Sequence, residues 1–296
     1  MKKLLISSLF WLSPTVVLAD PLQVLASFSI VGNLVQEIGG ERVNVTTLVG
    51  ADQDAHVYQP APQDVKKLNR ASVFVVNGLG FEGWVSRLAK SSGFKGKTVI
   101  ASAGIAPQNN PAGQGEHGHS GQDPHAWHNP QNVKVYVRNI AAALTQADPS
   151  GKDYYTQRLT RYAQQLDEAD TFARAQFERI PRARRQVVTS HEAFAYLAQH
   201  YQIRFIAPQG ISTDAEASAK GVAQLVRQVR HEKIKAVFVE NMTDSRLVAQ
   251  LSREAGVTVG GKLYADALSA PGTAADTYLK FFRYNVTTLM GGLNQN

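Results

Sequence analysis

The sequence predicts an α/β protein built as two (βα) lobes with parallel-type sheets, joined by one long rigid helix. Three observations predict it. Short β-rich runs alternate with stretches of helical spacing from Leu22 to Ser102, one long charged amphipathic stretch interrupts them, and the alternation restarts at Gln186. Alternating β and α signals imply a parallel sheet covered by helices.

Taken in order, Leu22–Ser27 is β-rich, and 30–38 has helical spacing and stops at Gly39-Gly40. Val43–Val49 is strand-like, 61–68 is helical with Pro62 in its first turn, and 72–76 is the continuous apolar run of a strand buried on both faces. A helix near 84–90 and a strand at 98–102 follow. Residues 106–124 are rich in Gly, Pro, Asn and Gln and predict an exposed mobile loop. Helical spacing resumes over 132–144, and 152–178 forms one helix, about 40 Å long at ~1.5 Å per residue, ended by Pro181. The second half then predicts strands at 186–190, 204–207, 236–240 and 258–263. Helices are expected at 192–199, 217–231, 245–255 and 274–289. The expected organisation is a signal peptide over 1–19, an N-terminal lobe over 20–148, a linking helix over 149–180 and a C-terminal lobe over 181–296.

The chain has 296 residues, a formal charge of +7, eight His and no Cys. Without cysteine there is no disulfide framework, thiolate zinc site, iron–sulfur cluster, cysteine nucleophile or lipidated cysteine. Lys2 and Lys3 precede an apolar stretch ending in Val17-Leu18-Ala19, the pattern of a cleaved secretory signal. That stretch is interrupted by Ser13 and Pro14 and is shorter than the ~20 residues a membrane span needs. A free, unlipidated, monomeric protein of the periplasm is therefore expected. The basic residues are dispersed apart from Arg182, Arg184 and Arg185, and no nucleic-acid motif accompanies them, so nucleic acid is not an expected partner.

In parallel sheets ligands sit beyond the carboxyl ends of strands, and between two such lobes that is the cleft. His56, His125, His191 and Asp266 all fall just after predicted strands or in the loops that follow them, two in each lobe. A lone histidine is weak evidence, since most are hydrogen-bonded structural residues. Three imidazoles and one carboxylate at equivalent ends of the pattern make a nitrogen- and oxygen-rich site suited to a divalent transition metal.

The segments HVYQPAPQD, DPHAWHNP, TSHEAFAYLAQHY and LYADALS together resemble the cluster A-I metal-binding solute-binding proteins of zinc and manganese ABC transporters. The resemblance covers essentially the whole chain after the leader. It implies metal ligands at His56, His125, His191 and Asp266, an interlobe metal site, and partners in a membrane permease with its ATPase. Ala217 stands where relatives usually carry Pro, which bears only on a helix start. Manganese-preferring relatives commonly have Glu where His191 stands, so the resemblance points to the zinc branch, with manganese or iron as the alternative cargo. Affinity for one ligand set also rises from manganese to zinc. His117 and His119 lie where zinc-specific relatives carry a His-rich loop and are candidate auxiliary ligands, with a periplasmic metallochaperone as a candidate source of metal. His128 and Glu240 are alternative ligands, Glu240 also as a carboxylate backing a ligand. Trp127 and Tyr58 are expected to pack the pocket, and His200 and His231 to cap helix ends.

A secreted zinc-dependent hydrolase is the rival from another class. His191-Glu192 and His231-Glu232 begin an HExxH pattern, but Ala195 and Lys235 occupy the position of the second histidine. Four protein ligands also leave a tetrahedral ion no open position for an activated water, which favours binding over catalysis.

Overall fold

The computed structural model describes residues 20–109 and 122–296. The signal sequence, His117, His119 and most of the 106–124 loop lie outside the described residues.

The first half folds as β1 (Leu22–Phe28), α1 (Ser29–Gly39), β2 (Val43–Val49), α2 (Pro62–Arg70), β3 (Val73–Val76), α3 (Val85–Ser92) and β4 (Lys97–Ile100), followed by the short strands β5 (Gln108–Asn109) and β6 (Gln122–Asp123). Its main sheet has the order β2-β1-β3-β4, with every pair parallel. β3 is buried at all four residues, as its unbroken apolar run requires. Gly40 ends α1 with φ 53°, in the left-handed region that glycine enters without penalty. α2 starts with Pro62, and Asp64 three residues after Ala61 accepts the Ala61 N–H at 2.8 Å, satisfying a donor at the helix entrance.

Helices α4 (Pro130–Ala147) and α5 (Lys152–Phe177) connect the halves. The second half comprises β7 (Gln186–Val188), α6 (Ala195–Tyr201), β8 (Arg204–Ile206), α7 (Ala219–Glu232), β9 (Val237–Glu240), α8 (Ser245–Ala255), β10 (Val259–Leu263) and α9 (Tyr278–Leu293). This sheet is also parallel, in the order β10-β9-β7-β8. In each half the first strand lies inside the sheet with a later strand on either side of it, so the chain winds outward in both directions. The gap beside that first strand, where the connections diverge, is the position where such sheets bind ligands.

The 26-residue α5 matches the expected linking helix. Its start is tied to the N-terminal lobe by Arg158 Nε donating to Glu37 O at 2.7 Å. Its later turns meet the C-terminal lobe through Asp170, which accepts from Tyr201 OH at 2.7 Å and lies 2.8 Å from His200 Nε2. α5 is not alone in joining the lobes. Asn33 on α1 accepts the Tyr278 N–H of α9, and one apolar cluster runs from Val24 through Trp127 and Leu166 to Phe281. A second cluster, with Val188, Leu225, Val237 and Leu251, fills the space under α7 and α8.

Three expectations are corrected. The 106–124 segment is not irregular throughout, because β5 pairs antiparallel with β6. α6 begins at Ala195 rather than near Glu192, since the Ser190 and His191 N–H groups are committed to the Glu240 carboxylate. α9 begins four residues late, because Ala275 is bonded through both its N–H and its C=O to Ser269. Ser218 caps α7 by accepting the Gly221 N–H, so Ala217 in place of proline leaves that helix start intact.

Candidate metal centre

Four side chains converge between the lobes. His56 stands on the loop after β2, His125 follows the β5–β6 hairpin, His191 follows β7 and Asp266 follows β10, and each offers a ligand atom within 4.8 Å of the others. The three histidines face inward with the same nitrogen. His56 Nε2 lies 3.2 Å from His125 Nε2, and Asp266 lies 3.4 Å from His56 Nε2, 3.5 Å from His125 Nε2 and 3.1 Å from His191 Nε2. His125, His191 and Asp266 are 0% exposed.

Both Asp266 oxygens and His191 Nε2 are buried without a hydrogen-bond partner among the described residues. A buried carboxylate with no donor is costly, and a cation relieves that cost as a hydrogen bond would. The donor set therefore fits a divalent ion by its own chemistry.

Carboxylates fix two of the three imidazoles from behind. Asp123 Oδ1 accepts both the His125 N–H, at 2.8 Å, and Nδ1, at 2.7 Å. Glu240 Oε1 accepts the Ser190 and His191 N–H groups at 2.9 and 3.1 Å, and its Oε2 pairs with His191 Nδ1. An Nδ1–H held in this way leaves the Nε2 lone pair pointing at the cluster, which selects the ligating tautomer. Burial pushes the His191 pKa down, but Glu240 and Asp266 outweigh it and hold the imidazole well above the usual histidine range, so a cation binding at Nε2 must displace a proton there. Burial raises Asp266, yet His191 and His125 keep it well below the usual carboxylate range. His56 is lowered, chiefly by burial.

The alternative ligands fall outside the cluster. His128 is buried between Phe194 and Phe281, with ring centroids 4.5 and 5.6 Å away, and burial pushes its pKa down to about 3. Glu240 stands behind His191 rather than beside it as a ligand. Trp127 packs its ring 5.2 Å from His125 and donates Nε1–H to Ala265 O across the lobes. Tyr58 does not wall the pocket. Its hydroxyl donates to Asp64 at the start of α2, and its ring packs on Trp84. His231 ends α7 and His200 ends α6, the latter spent on Asp170 and Arg174. Sequence reasoning missed Asp123, although its spacing two residues before a histidine, as in an Asx turn, was visible.

The model of the family "Zinc-uptake complex component A periplasmic" (ZnuA) matches residues 24–292. The chain belongs to that family. Its members are metal-binding solute-binding proteins of zinc and manganese ABC transporters and not enzymes, so the hydrolase expectation falls. The manganese-binding lipoprotein MntA of Halalkalibacterium halodurans is 31% identical over 93% of this chain and 90% of its own length. The periplasmic zinc-binding protein TroA of Treponema pallidum has a similar structure, with TM-score 0.85, 27% identity, and coverage of 93% and 99% of the two chains. The manganese-bound periplasmic metal-binding protein of candidatus Liberibacter asiaticus matches with TM-score 0.81 and 30% identity over 92% and 99%.

Membership makes this chain the metal-binding substrate-binding component of an ABC transporter, working with a permease and an ATPase. The expectations of a monomer and of a metallochaperone gain no support. The expectation of a free, unlipidated protein is overturned, because MntA and the streptococcal relatives at 29–30% identity are named lipoproteins. That expectation rested on the missing cysteine, which speaks to one attachment chemistry and not to where the folded chain is held.

Proposed function

We propose that the protein captures one zinc ion through His56 Nε2, His125 Nε2, His191 Nε2 and Asp266 and presents it to the permease. The observation that carries this reading is the buried, donor-less Asp266 carboxylate facing three imidazole nitrogens, two of them backed by carboxylates. Three nitrogens and one oxygen suit a tetrahedral ion of borderline softness, and affinity for a fixed ligand set rises from manganese to zinc. The same reading takes 20–148 and 181–296 as the lobes and 149–180 as the link. Manganese is the second reading, favoured by the name of MntA and by the manganese-bound structural neighbour.

Capture requires the imidazoles to be neutral at Nε2, so acidification weakens binding. Calorimetric titration of the metal-stripped protein with zinc and with manganese, beside a His56→Ala/His191→Ala variant, tests both choices. One tight zinc equivalent that the double variant loses is expected. Zinc binding unchanged in that variant overturns the site, and manganese binding tighter than zinc overturns the cargo.

A further inference from the structure

The two histidines of the N-terminal lobe each follow an aspartate by two residues, in Asp54-Ala55-His56 and Asp123-Pro124-His125. In both turns the aspartate Oδ1 accepts the histidine backbone N–H at 2.8 Å. The carboxylates then part company. Asp123 turns back onto Nδ1 of its own histidine. Asp54 leaves its histidine ring alone, and among the described residues the recorded polar contacts of the His56 ring are all at Nε2. Its Oδ2 instead accepts the Thr213 hydroxyl of the C-terminal lobe at 2.6 Å.

Two more bonds tie the same loop to that lobe. Asp52 donates its N–H to Leu268 O at 2.9 Å, and its Oδ1 accepts Asn241 Nδ2 at 2.8 Å. Asp52 holds φ at 54°, a left-handed conformation that a non-glycine residue keeps only where its surroundings fix it. His56 keeps its side chain buried, at 4% exposed, but as a whole residue it is the one member of the four that is partly open, and its neighbour Val57 is 48% exposed.

We infer that His56 is the ligand that leaves first, and that the Thr213–Asp54 hydrogen bond is the brace that holds it in place until separation of the lobes breaks that bond. The inference rests on the proposed cargo site. Releasing His125 or His191 means pulling an imidazole away from a buried carboxylate, which strands a charge. Releasing His56 gives up an approach to Asp266 that all three imidazoles share, 3.4 Å in its case, but parts no carboxylate held behind the ring. Thr213 anchors Asp54, and Asp54 anchors the His56 backbone, so both are positioning residues that set how long the third imidazole stays in place. When the C-terminal lobe moves, Thr213 moves with it and the turn bearing His56 loses its outer support.

The test is stopped-flow release of zinc from the loaded protein into excess EDTA, at chelator concentrations where the rate no longer depends on chelator. Thr213→Val is expected to speed release about tenfold to a hundredfold, the equivalent of one hydrogen bond to a charged group, with the association rate unchanged. Thr213→Ser keeps the hydroxyl and is expected to keep slow release, an outcome that a loss of mere loop packing would not produce. Release from Thr213→Val at the wild-type rate, or from Thr213→Ser as fast as from Thr213→Val, overturns the inference. If the wild-type protein takes up no zinc equivalent, the cargo site itself fails. If it binds one equivalent that His191→Ala loses, while Thr213→Val releases normally, only the release link fails.

Discussion

Beyond the ends of its central strands the C-terminal lobe holds Glu240 beneath His191, with the backbone N–H groups of Ser190 and His191 on one oxygen and the imidazole on the other. The N-terminal lobe also buries a glutamate at its strand ends. Glu82 accepts the Ser27 hydroxyl and the Asn77 N–H, each at 2.6 Å, and the Gly78 N–H at 3.1 Å. Gly78 makes this possible with φ 89°, turning the chain sharply after β3 so that Glu82 folds back on the strand ends. Both lobes thus collect backbone donors with a buried strand-end glutamate, but only the C-terminal lobe sets one of the clustered histidines on that glutamate. The N-terminal lobe supplies its two histidines of the cluster, the proposed ligands, from longer connections, the loop carrying His56 and the turn after β6 carrying His125. Two similar sheets therefore present, on one side, a histidine fixed on a strand-end glutamate, and on the other, His125 fixed by the loop residue Asp123 beside His56, which has no carboxylate behind its ring.

The largest expected effect separates these two kinds of ligand. His191→Ala removes the partner of buried Glu240 and is expected to destabilise the metal-free protein by about 3–5 kcal/mol at neutral pH, the usual result of stranding a buried charge. His56→Ala strands nothing and should melt near the wild-type temperature without metal. Both variants lose zinc affinity. Sharing a zinc binding free energy of roughly 10–16 kcal/mol over four ligands gives about two to three decades for each. Equal thermal stability of the two metal-free variants would break the distinction between the lobes.

A smaller effect distinguishes the two glutamates. Glu240→Gln replaces the acceptor that sets the His191 tautomer and should cost about 10–100-fold in zinc affinity. Glu82→Gln should leave zinc affinity unchanged. Its signature lies in pH. Burial holds the Glu82 pKa above its ordinary value despite the donors around it, so the folded state resists ionisation that the unfolded chain accepts. Wild-type stability attributable to Glu82 accordingly falls as pH rises above the normal glutamate range. Thermal melts of wild type and Glu82→Gln at pH 4 and pH 7 should show the difference moving in favour of the variant at the higher pH. Movement in the other direction would mean that the backbone donors outweigh burial.

Much of this was legible from residue order because the relevant signals are local. β2 and α8 start and stop where their apolar periods do, and three of the four converging side chains, His56, His191 and Asp266, follow strands of the parallel sheets, where such sheets open. The carboxylates behind the clustered histidines were harder to read. Glu240 is 49 residues from His191, and only the parallel pairing of β7 with β9 brings them together. The β5–β6 ladder, two residues on each strand, carries no periodicity to detect. Asp54 was legible as a polar residue near a histidine, but its bond to Thr213, 159 residues on, depends on how the lobes face each other.

The smallest expected effect lies away from the cleft, where α5 leaves the N-terminal lobe. Asp148 accepts Arg42 Nε and Nη2 at 2.8 and 2.9 Å, Ser150 Oγ at 2.6 Å and Tyr155 OH at 2.7 Å. Burial raises its pKa, but the bonds from Ser150, Tyr155 and Arg42 prevail and bring it down to about 2. A carboxylate lowered from the ordinary value of ~3.9 stabilises the fold fully above that pH and loses its contribution as pH falls towards 2. The pair is partly exposed, with side-chain accessibilities of 25% for Arg42 and 19% for Asp148, so screening limits its worth. Asp148→Asn should therefore cost about 1–2 kcal/mol at pH 7, read as a fall of a few degrees in melting temperature, and the gap should close near pH 2. Because these bonds join the N-terminal lobe only to the first turn of the linking helix, zinc affinity should not change. A loss of affinity in Asp148→Asn would show that the stiffness of this joint reaches the cleft, and the difference between the lobes would then have to be sought in the link as well as in the loops.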